Sequence, residues 1–192
     1  MTFKSYDILS SLLPGFLFLL GLQNILGMSF DKDLVVAYTA VAFLLGYVIN
    51  TVSSWIEDLY FITWGGKPST RLIEGKDIWK VKFYHSSKVK QLLLSEASSN
   101  PSSDEMFSIA MRYANGAKDT RVDDFNGMYA LSRSLLTTVF FCTIFLIIEH
   151  YNEWKYYASL LPILLILWIR CKQRAYYYAR EVLTVYLKIK TP

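Results

Sequence analysis

The sequence predicts a mainly α-helical integral membrane protein with four transmembrane helices, a small cytoplasmic insert between the second and third helices, and a C-terminal helical extension. Three observations predict this class. The 192-residue chain is 53% hydrophobic and 16% aromatic, which is more apolar than a typical soluble domain. It contains four apolar segments, and its lysine and arginine residues are divided very unevenly between the loops that join them. A soluble helical bundle with a very apolar core is the alternative.

The first two apolar segments, residues 8–28 and 34–56, carry no charged residue. Each reaches the roughly 20 residues that a bilayer requires. The third and fourth segments, residues 134–148 and 156–169, are shorter, so they span a bilayer only if flanking aromatic residues lie at its interfaces. The beginning of the chain lacks the basic region and the small-residue cleavage site of a signal peptide. The first segment is therefore expected to stay in the mature protein.

Lysine and arginine fall almost entirely on one side of this four-span arrangement. The N-terminus with Lys4, the insert and the C-terminal tail together hold 18 basic residues, whereas the two short loops hold only Lys32 and Lys155. Because cytoplasmic loops retain these residues during insertion, both termini and the insert are predicted to lie in the cytoplasm. From Arg170 onward six basic residues accompany a single acidic residue, Glu181, so the tail is the basic element of the chain.

Three parts follow one another along the chain. Residues 1–64 form the first transmembrane hairpin, whose second helix is predicted to continue unbroken into the cytoplasm as far as the stop signal Gly65-Gly66. Residues 65–128 form the insert domain. Residues 129–192 form the second hairpin with a basic C-terminal helix, which meets no helix breaker before Pro192.

Within the insert the sequence predicts short mixed elements. Alternating residues within 70–84 favour a short strand or one arm of a hairpin. A helix is expected over residues 87–97, and another is expected to begin at Pro101 with Asn100 as its cap. A further helix, beginning near Val122, leads into the third span. A core of about 70 residues is marginal alone, so the insert is expected to depend on the projecting helices or on other subunits.

Small and polar side chains recur at every fourth position of the second segment, at Ala42, Gly46, Asn50 and Ser54. This spacing predicts one narrow stripe, because residues four apart lie on the same side of a helix. Small residues let helices approach closely, and an asparagine can hydrogen-bond across the contact. The stripe fits packing within one subunit, and it also fits a subunit interface or an aqueous path.

Charged residues gather at the predicted cytoplasmic edge of the membrane. Glu57 and Asp58 leave the second span where Arg133 enters the third and where Arg170 and Arg174 follow the fourth. An ion pair there would be partly desolvated, so it is a candidate latch for a gate. Extension of the arginine side chains toward lipid phosphates is the alternative.

The C-terminal tail combines basic residues with tyrosines, and Lys172, Tyr177 and Arg180 are candidates for ligand or lipid contact. Anchoring of the tail beside anionic lipid is the simpler interpretation. The same combination also suits a nucleotide or oligonucleotide, through phosphate pairing and base stacking.

Motifs of known enzyme classes do not occur in the sequence, including metalloprotease, hydrolase, dinucleotide-binding and P-loop signatures. The two histidines, His85 and His150, fall on opposite sides of the predicted membrane, which disfavours a histidine-based metal site or triad. Cys142 and Cys171 imply no disulfide framework. The chain is therefore expected to be no enzyme and to hold no metal or cofactor.

Several stretches resemble the small four-span membrane proteins of bacterial antiphage defence loci, such as the membrane subunit of Kiwa and the membrane effectors of Hailong. These stretches are YDILSSLLPGFLFLLG, the long second segment ending in WGGKPS, DEMFSIAMRYANG and RVDDFNGMYALSRSLL. The resemblance is one of general layout over the whole chain, and no shared motif assigns a role to a residue. It implies a homo-oligomer, a tetramer, in the inner membrane. Its cytoplasmic part would sense a phage-induced cue, and its spans would disrupt the membrane or relay the signal to a partner.

Two functions follow as hypotheses. The first is a gated, channel-like effector in which the stripe at Asn50 lines or borders a central path, while the insert and tail hold it closed until a ligand binds or leaves. The second is a non-conducting sensor or scaffold that recruits a cytoplasmic partner protein through the insert. A transporter or an intramembrane enzyme is disfavoured, because no charged residue lies in the middle of a predicted span.

Overall fold

The structure is a computed structural model that describes residues 5–118 and 120–191, with side chains from residue 10 onward. Lys4, which contributes to the charge distribution above, lies outside the described residues. The described chain is mainly helical and contains no β-strand. Its helices are α1 Ser5–Ile25, α2 Val35–Trp55, α3 Glu57–Trp64, α4 Pro68–Ile73, α5 Ser86–Glu96, α6 Ser103–Gly116, α7 Val122–Glu149 and α8 Trp154–Lys190. A 3-10 turn, Lys32–Leu34, precedes α2.

The chain divides into two compact units. The first unit comprises Met1–Glu57 and Gly127–Cys171, and the second comprises Asp58–Asn126 and Lys172–Pro192. The first unit therefore contains α1, α2, most of α7 and the beginning of α8. The second contains the short helices α4, α5 and α6 together with the end of α8.

Three helical segments are long and apolar enough to cross a membrane: Lys32–Trp55, Val122–Glu149 and Trp154–Lys190. A shorter apolar helix, Ser10–Ile25, is the part of α1 whose side chains are described. Many large apolar side chains of these segments are exposed, among them Val36, Leu44 and Ile166. The structure confirms the helical class and the presence of several helices suited to a membrane.

The prediction of one unbroken helix from α2 to Trp64 is wrong, because the helix is interrupted at Ile56. This residue has φ −91° and ψ 3°, outside the α-helical region, and it separates α2 from α3. Two hydroxyls in the preceding turn bond back to the helix, from Ser53 to the carbonyl of Asn50 and from Ser54 to that of Thr51, both at 2.7 Å. Such bonds can bend a helix, and here they accompany the break.

The second unit has an apolar core to which α4, α5, α6 and α8 all contribute. Its fully covered side chains include two tyrosines of α8, Tyr176 and Tyr186. The other members are Leu72, Ile73, Val81, Phe83, Val89, Leu93, Met106, Ala110, Ala114, Val122, Ala179, Val182 and Leu183. The long C-terminal helix therefore supplies part of the surface on which the short helices pack.

The expected strand within residues 70–84 is absent from the described chain. A single antiparallel bridge joins Ile78 to Val81, and the two residues between them form a tight turn. The Asp77 carboxylate accepts the backbone N–H of Phe83 at 3.1 Å, so a side chain takes the place of a ladder partner. The alternating pattern reflects the turn, in which Val81 is buried and the neighbouring Lys80 is exposed.

The start of α6 also differs from the prediction, because Ser102 rather than Asn100 caps it. The Ser102 hydroxyl accepts the backbone N–H of Glu105 at 3.1 Å, which is one of the two bonds of a capping box. Glu105 in turn accepts hydrogen bonds from the backbone and hydroxyl of Ser98. Pro101 therefore precedes the helix instead of beginning it.

Other predicted boundaries are confirmed. The expected helix over 87–97 is α5, α7 begins at Val122, and α8 continues to Lys190. Gly65 and Gly66 end α3 with φ values of 79° and 120°, which residues other than glycine rarely adopt.

Candidate functional site

The first unit contains a very close crossing of α1 and α2 at two glycines. A Cβ atom on Gly15 would lie 1.8 Å from the backbone oxygen of Ala42, and one on Gly46 would lie 1.7 Å from that of Ser11. No real side chain tolerates such distances, and the opposing atoms belong to backbone that cannot rotate away. Glycine therefore lets the two helices touch through their backbones.

Hydroxyl groups of α7 contact both helices of this pair. The Ser134 hydroxyl donates to Oδ1 of Asn50 at 3.2 Å, and the Thr138 hydroxyl donates to the carbonyl of Pro14 at 3.4 Å. The buried polar side chains of the first unit are Ser10, Ser11, Gln23, Ser53, Ser134, Thr137, Thr138 and Thr143. The interior of this unit is therefore unusually polar for helices with apolar exteriors.

A charged network lies at the end of α2 and the beginning of α3, and we call it the Glu57 network (Glu57, Arg133, Tyr129 and Ser53). Nη1 of Arg133 forms an ion pair with Oε2 of Glu57. The Tyr129 hydroxyl donates to Oε1 of the same carboxylate at 2.6 Å, and Nε of Arg133 donates to the Ser53 hydroxyl at 3.2 Å. The Arg133 guanidinium also lies 5.5 Å from the centre of the Tyr129 ring.

Local structure positions each member of the Glu57 network. Glu57 is the first residue of α3, directly after the break at Ile56, whereas Ser53 lies one turn earlier on α2. Tyr129 and Arg133 lie four residues apart on α7, so they share one side of that helix. Ser53 and Glu57, on either side of the break, thus contact Tyr129 and Arg133 of α7.

The ion pair is partly removed from solvent. The side chain of Arg133 is 13% exposed and that of Glu57 is 22% exposed. Each charge therefore depends on the other, because an unpaired charge in such a position loses most of its hydration without compensation.

The other predicted edge charges, Asp58, Arg170 and Arg174, differ in exposure and in the unit to which they belong. Arg170 belongs to the first unit and is exposed, whereas Asp58 is exposed and Arg174 is partly buried, and both belong to the second unit. Of the five predicted edge charges, Glu57 and Arg133 form an ion pair with each other.

Residues of the predicted stripe have different surroundings. Ala42 and Gly46 lie at the crossing with α1, and Asn50 meets Ser134, but Ser54 is exposed. A helix has 3.6 residues per turn, so a row of every fourth residue drifts by about 40° per step. The buried face of α2 instead follows residues Ala42, Gly46, Ile49 and Ser53.

Two members of the network, Ser53 and Tyr129, were not among the predicted site residues. A signal for both was present, since Ser53 precedes Glu57 by four residues and Tyr129 precedes Arg133 by four. Side chains at this spacing meet on a helix surface. The residue one helical turn before each predicted charge was therefore also a candidate for the site.

The predicted ligand residues of the tail lie on the part of α8 in the second unit. Nζ of Lys172 donates to the carbonyl of Trp64 at 3.5 Å, and the Tyr177 hydroxyl donates to the carbonyl of Lys80 at 3.4 Å. The Arg180 guanidinium lies 5.1 Å from the centre of the Tyr177 ring. These side chains therefore tie α8 to neighbouring segments of the second unit.

A second polar cluster closes the far end of the second unit around Glu96. Its carboxylate accepts the Tyr186 hydroxyl at 2.9 Å and pairs with Nζ of Lys190 at 2.9 Å. Burial alone would raise the pKa of Glu96, but hydrogen bonds from Lys190, Tyr186 and Tyr113 outweigh burial and lower that pKa. The cluster thus joins the end of α5 to the end of α8 and is strongest when Glu96 is ionised.

Comparison of the chain with protein-family models, curated proteins and solved structures finds no match. The class of protein is therefore defined by the fold and the site alone. It is an α-helical protein with several helices suited to a membrane, a polar interior among them, and a part-buried ion pair at one helix junction.

Proposed function

We propose that this chain is a gated, channel-like membrane effector without enzymatic activity, acting as a homo-oligomer in bacterial antiphage defence. The Glu57 network is the latch of the closed state in this proposal. The observation that carries it is the ion pair between Glu57 and Arg133, which lies at 22% and 13% exposure at the end of a seam of buried hydroxyls. Ionisable groups placed among membrane helices are costly and are mostly retained for function.

The proposed topology has four spans, with both termini and the second unit in the cytoplasm. Helix α1 would be the first span, in addition to α2, α7 and α8, since its 21 residues measure about 30 Å at 1.5 Å per residue. Its backbone contact with α2 at Gly15 and Gly46 supports a paired hairpin. The distribution of lysine and arginine supports the orientation.

Opening would require the closed pair to separate. A ligand or partner can shift such an equilibrium only by the difference between its affinities for the two states. Because Arg133 also bonds Ser53 and covers Tyr129, separation changes contacts on α2, α3 and α7 together. A local event at one charge would thus affect three helices.

Ion flux through proteoliposomes tests the latch. Arg133→Gln and Glu57→Gln are each expected to raise basal flux severalfold over the unmodified protein, because the closed state loses its ion pair. Ser54→Ala, which changes an exposed hydroxyl on the same turn, is the matched control and should leave flux unchanged. Unchanged flux in both charge variants, with assembly intact, would exclude the latch.

Asn50 provides a separate test of the conducting path. Asn50→Leu removes the acceptor of the Ser134 hydroxyl, and Ser134→Ala removes the donor. If Asn50 borders the path, the leucine variant reduces flux far more than the alanine variant does. Equal effects of the two changes would mean that Asn50 serves helix packing alone.

A non-conducting scaffold is the second candidate, and one surface favours it. Trp79 and Tyr84, at and beside the turn of the second unit, are 81% and 86% exposed, and Lys80 lies 4.5 Å from the centre of the Trp79 ring. Exposed aromatic residues beside a cation are common anchors for partner proteins. Loss of a cytoplasmic partner from the Trp79→Ala variant, without any flux in the unmodified protein, would support the scaffold.

The role in defence needs a cellular experiment. Cells that carry the chain with its neighbouring genes are expected to survive phage challenge better than cells that carry the Arg133→Gln variant. Equal survival of both strains, and of a strain lacking the chain, would count against a defence role.

A further inference from the structure

A group of hydrogen-bond donors in the second unit, distinct from the Glu57 network, has no acceptor. The Nε of Arg71, the indole N–H of Trp64 and the hydroxyl of Tyr176 are buried and lack a hydrogen-bond partner among the described residues. Trp64 is 2% exposed and Tyr176 is fully covered. A buried donor without an acceptor costs about 1–3 kcal/mol, so three in one unit call for an explanation.

The donors lie around the turn that follows α3. The Arg71 side chain lies over this turn, since its Nη1 donates to the carbonyl of Gly65 at 2.9 Å and its aliphatic part adjoins Gly66. Lys172 reaches the same turn from α8, with its Nζ 3.5 Å from the carbonyl of Trp64. Tyr176 lies one helical turn after Lys172, and its hydroxyl lies beside the Arg71 guanidinium.

Two cations therefore lie close together in a partly buried place. Nη1 of Arg71 and Nζ of Lys172 bond to the carbonyls of adjacent residues, Gly65 and Trp64. The carboxylate three residues after Arg71, that of Glu74, is exposed and pairs with Lys76 at 2.7 Å. Even where the guanidinium points at the tyrosine oxygen, the phenolic proton still has no acceptor.

We infer that Arg71, Lys172 and Tyr176 form a binding site for a phosphate group. The reasoning is chemical, since the side chains gathered here carry donors, and buried donors of Arg71 and Tyr176 have no acceptor among the described residues. Two positive charges and a hydroxyl match a doubly charged tetrahedral anion, and a guanidinium binds two of its oxygens at once. The phosphate group belongs to a soluble compound or to a lipid headgroup, because both present the same oxygens.

This site goes beyond the proposed function and does not depend on it. A phosphate bound by Arg71 and Lys172 would tie the turn after α3 to α8 within the second unit. Of the candidate ligand residues in the tail, this site uses Lys172, whereas Tyr177 contacts Arg180 and the carbonyl of Lys80.

Thermal unfolding of the full-length protein in an uncharged detergent tests the site with inorganic phosphate at constant ionic strength. Phosphate is expected to raise the Tm of the unmodified protein. The Arg71→Gln variant should bind phosphate at least about tenfold more weakly, because it loses a charge-assisted hydrogen bond. Lys188→Gln removes an equal charge from an exposed position of α8 and should bind as the unmodified protein does.

A second pair of variants tests the site independently of whether Arg71→Gln folds. Tyr176→Phe removes only the unpartnered hydroxyl, so its Tm without phosphate should equal or exceed that of the unmodified protein, while phosphate binding weakens by about threefold. Lys172→Gln should weaken binding as well. Binding of unmodified strength in both Tyr176→Phe and Lys172→Gln would overturn the site.

The source of the phosphate follows from a parallel measurement in vesicles. The same variants are compared in phosphatidylcholine alone and in equal parts of phosphatidylcholine and phosphatidic acid. A Tm increase that depends on Arg71 and occurs only with phosphatidic acid assigns the site to a lipid headgroup, and an increase with inorganic phosphate assigns it to a soluble compound. An equal response of Arg71→Gln and the unmodified protein in both settings would refute the site.

Discussion

Replacing Arg133 with glutamine is expected to destabilise the first unit, because Glu57 keeps its charge and loses its partner. The glutamine side chain is shorter and neutral, so it replaces neither the ion pair nor the bond to Ser53. Glu57 retains the hydrogen bond from the Tyr129 hydroxyl at 2.6 Å. One hydrogen bond does not compensate for the hydration that this carboxylate loses, because its side chain is only 22% exposed.

The expected loss of stability follows from the exposure of the two side chains. Breaking a fully buried ion pair by removing one partner costs about 3–5 kcal/mol, whereas an exposed pair contributes about 0–1 kcal/mol. With side chains 13% and 22% exposed, the pair falls between these limits, and we expect a loss of about 2–3 kcal/mol. For a chain of this length that corresponds to a decrease in Tm of about 5–10 °C.

A double-mutant cycle measures the coupling. Glu57→Gln, Arg133→Gln and the double variant are compared by thermal unfolding in an uncharged detergent at neutral pH. The double variant is expected to be less destabilised than the sum of the single variants by at least about 1 kcal/mol, because it leaves no unpaired charge. The difference should persist in high salt, since covered charges are screened little. Additive single effects would refute the coupling.

Three further predictions concern other contacts. Gly46→Ala is expected to lower stability by at least about 2 kcal/mol, because the added methyl group meets the backbone of α1, and α1–α2 cross-linking yields would report the separation. Ser53→Ala should lower the Tm more than Ser54→Ala, since only Ser53 binds Arg133; equal shifts would contradict this. Glu96→Gln should cost about 1 kcal/mol at neutral pH. Because the folded pKa of Glu96 is lowered, that contribution is present above its unfolded pKa near 4.5 and is lost as the pH falls through the lower folded value, which unfolding curves between neutral and acidic pH would show.

Composition and turn residues in the sequence predicted most of the helices. The extended apolar runs of α2, α7 and α8 and the glycine pair after α3 depend on composition and on local backbone freedom, both of which are visible in the sequence. The break at Ile56 was missed because the chain has no glycine or proline there and the apolar pattern continues up to this residue.

The candidate site could be predicted only in part. The charges of Glu57 and Arg133 were prominent in the sequence because charges are rare beside apolar segments. Tyr129 and Ser53 were not prominent, because uncharged residues of these types are common in helices. Their contacts with Glu57 and Arg133 depend on how two helices pack. The unpartnered donors at Arg71 and Tyr176 were equally invisible, because burial without an acceptor is a property of the packed unit.

The backbone contact between Gly15 and Gly46 has a consequence for the order in which the chain folds. Glycines have no side-chain rotamers to restrict, so α1 and α2 can pair without that entropy cost. Both helices are synthesised well before α7, whose hydroxyls at Ser134 and Thr138 bond to groups on this pair. We therefore expect the hairpin to form early during synthesis and to serve as the surface on which α7 later docks.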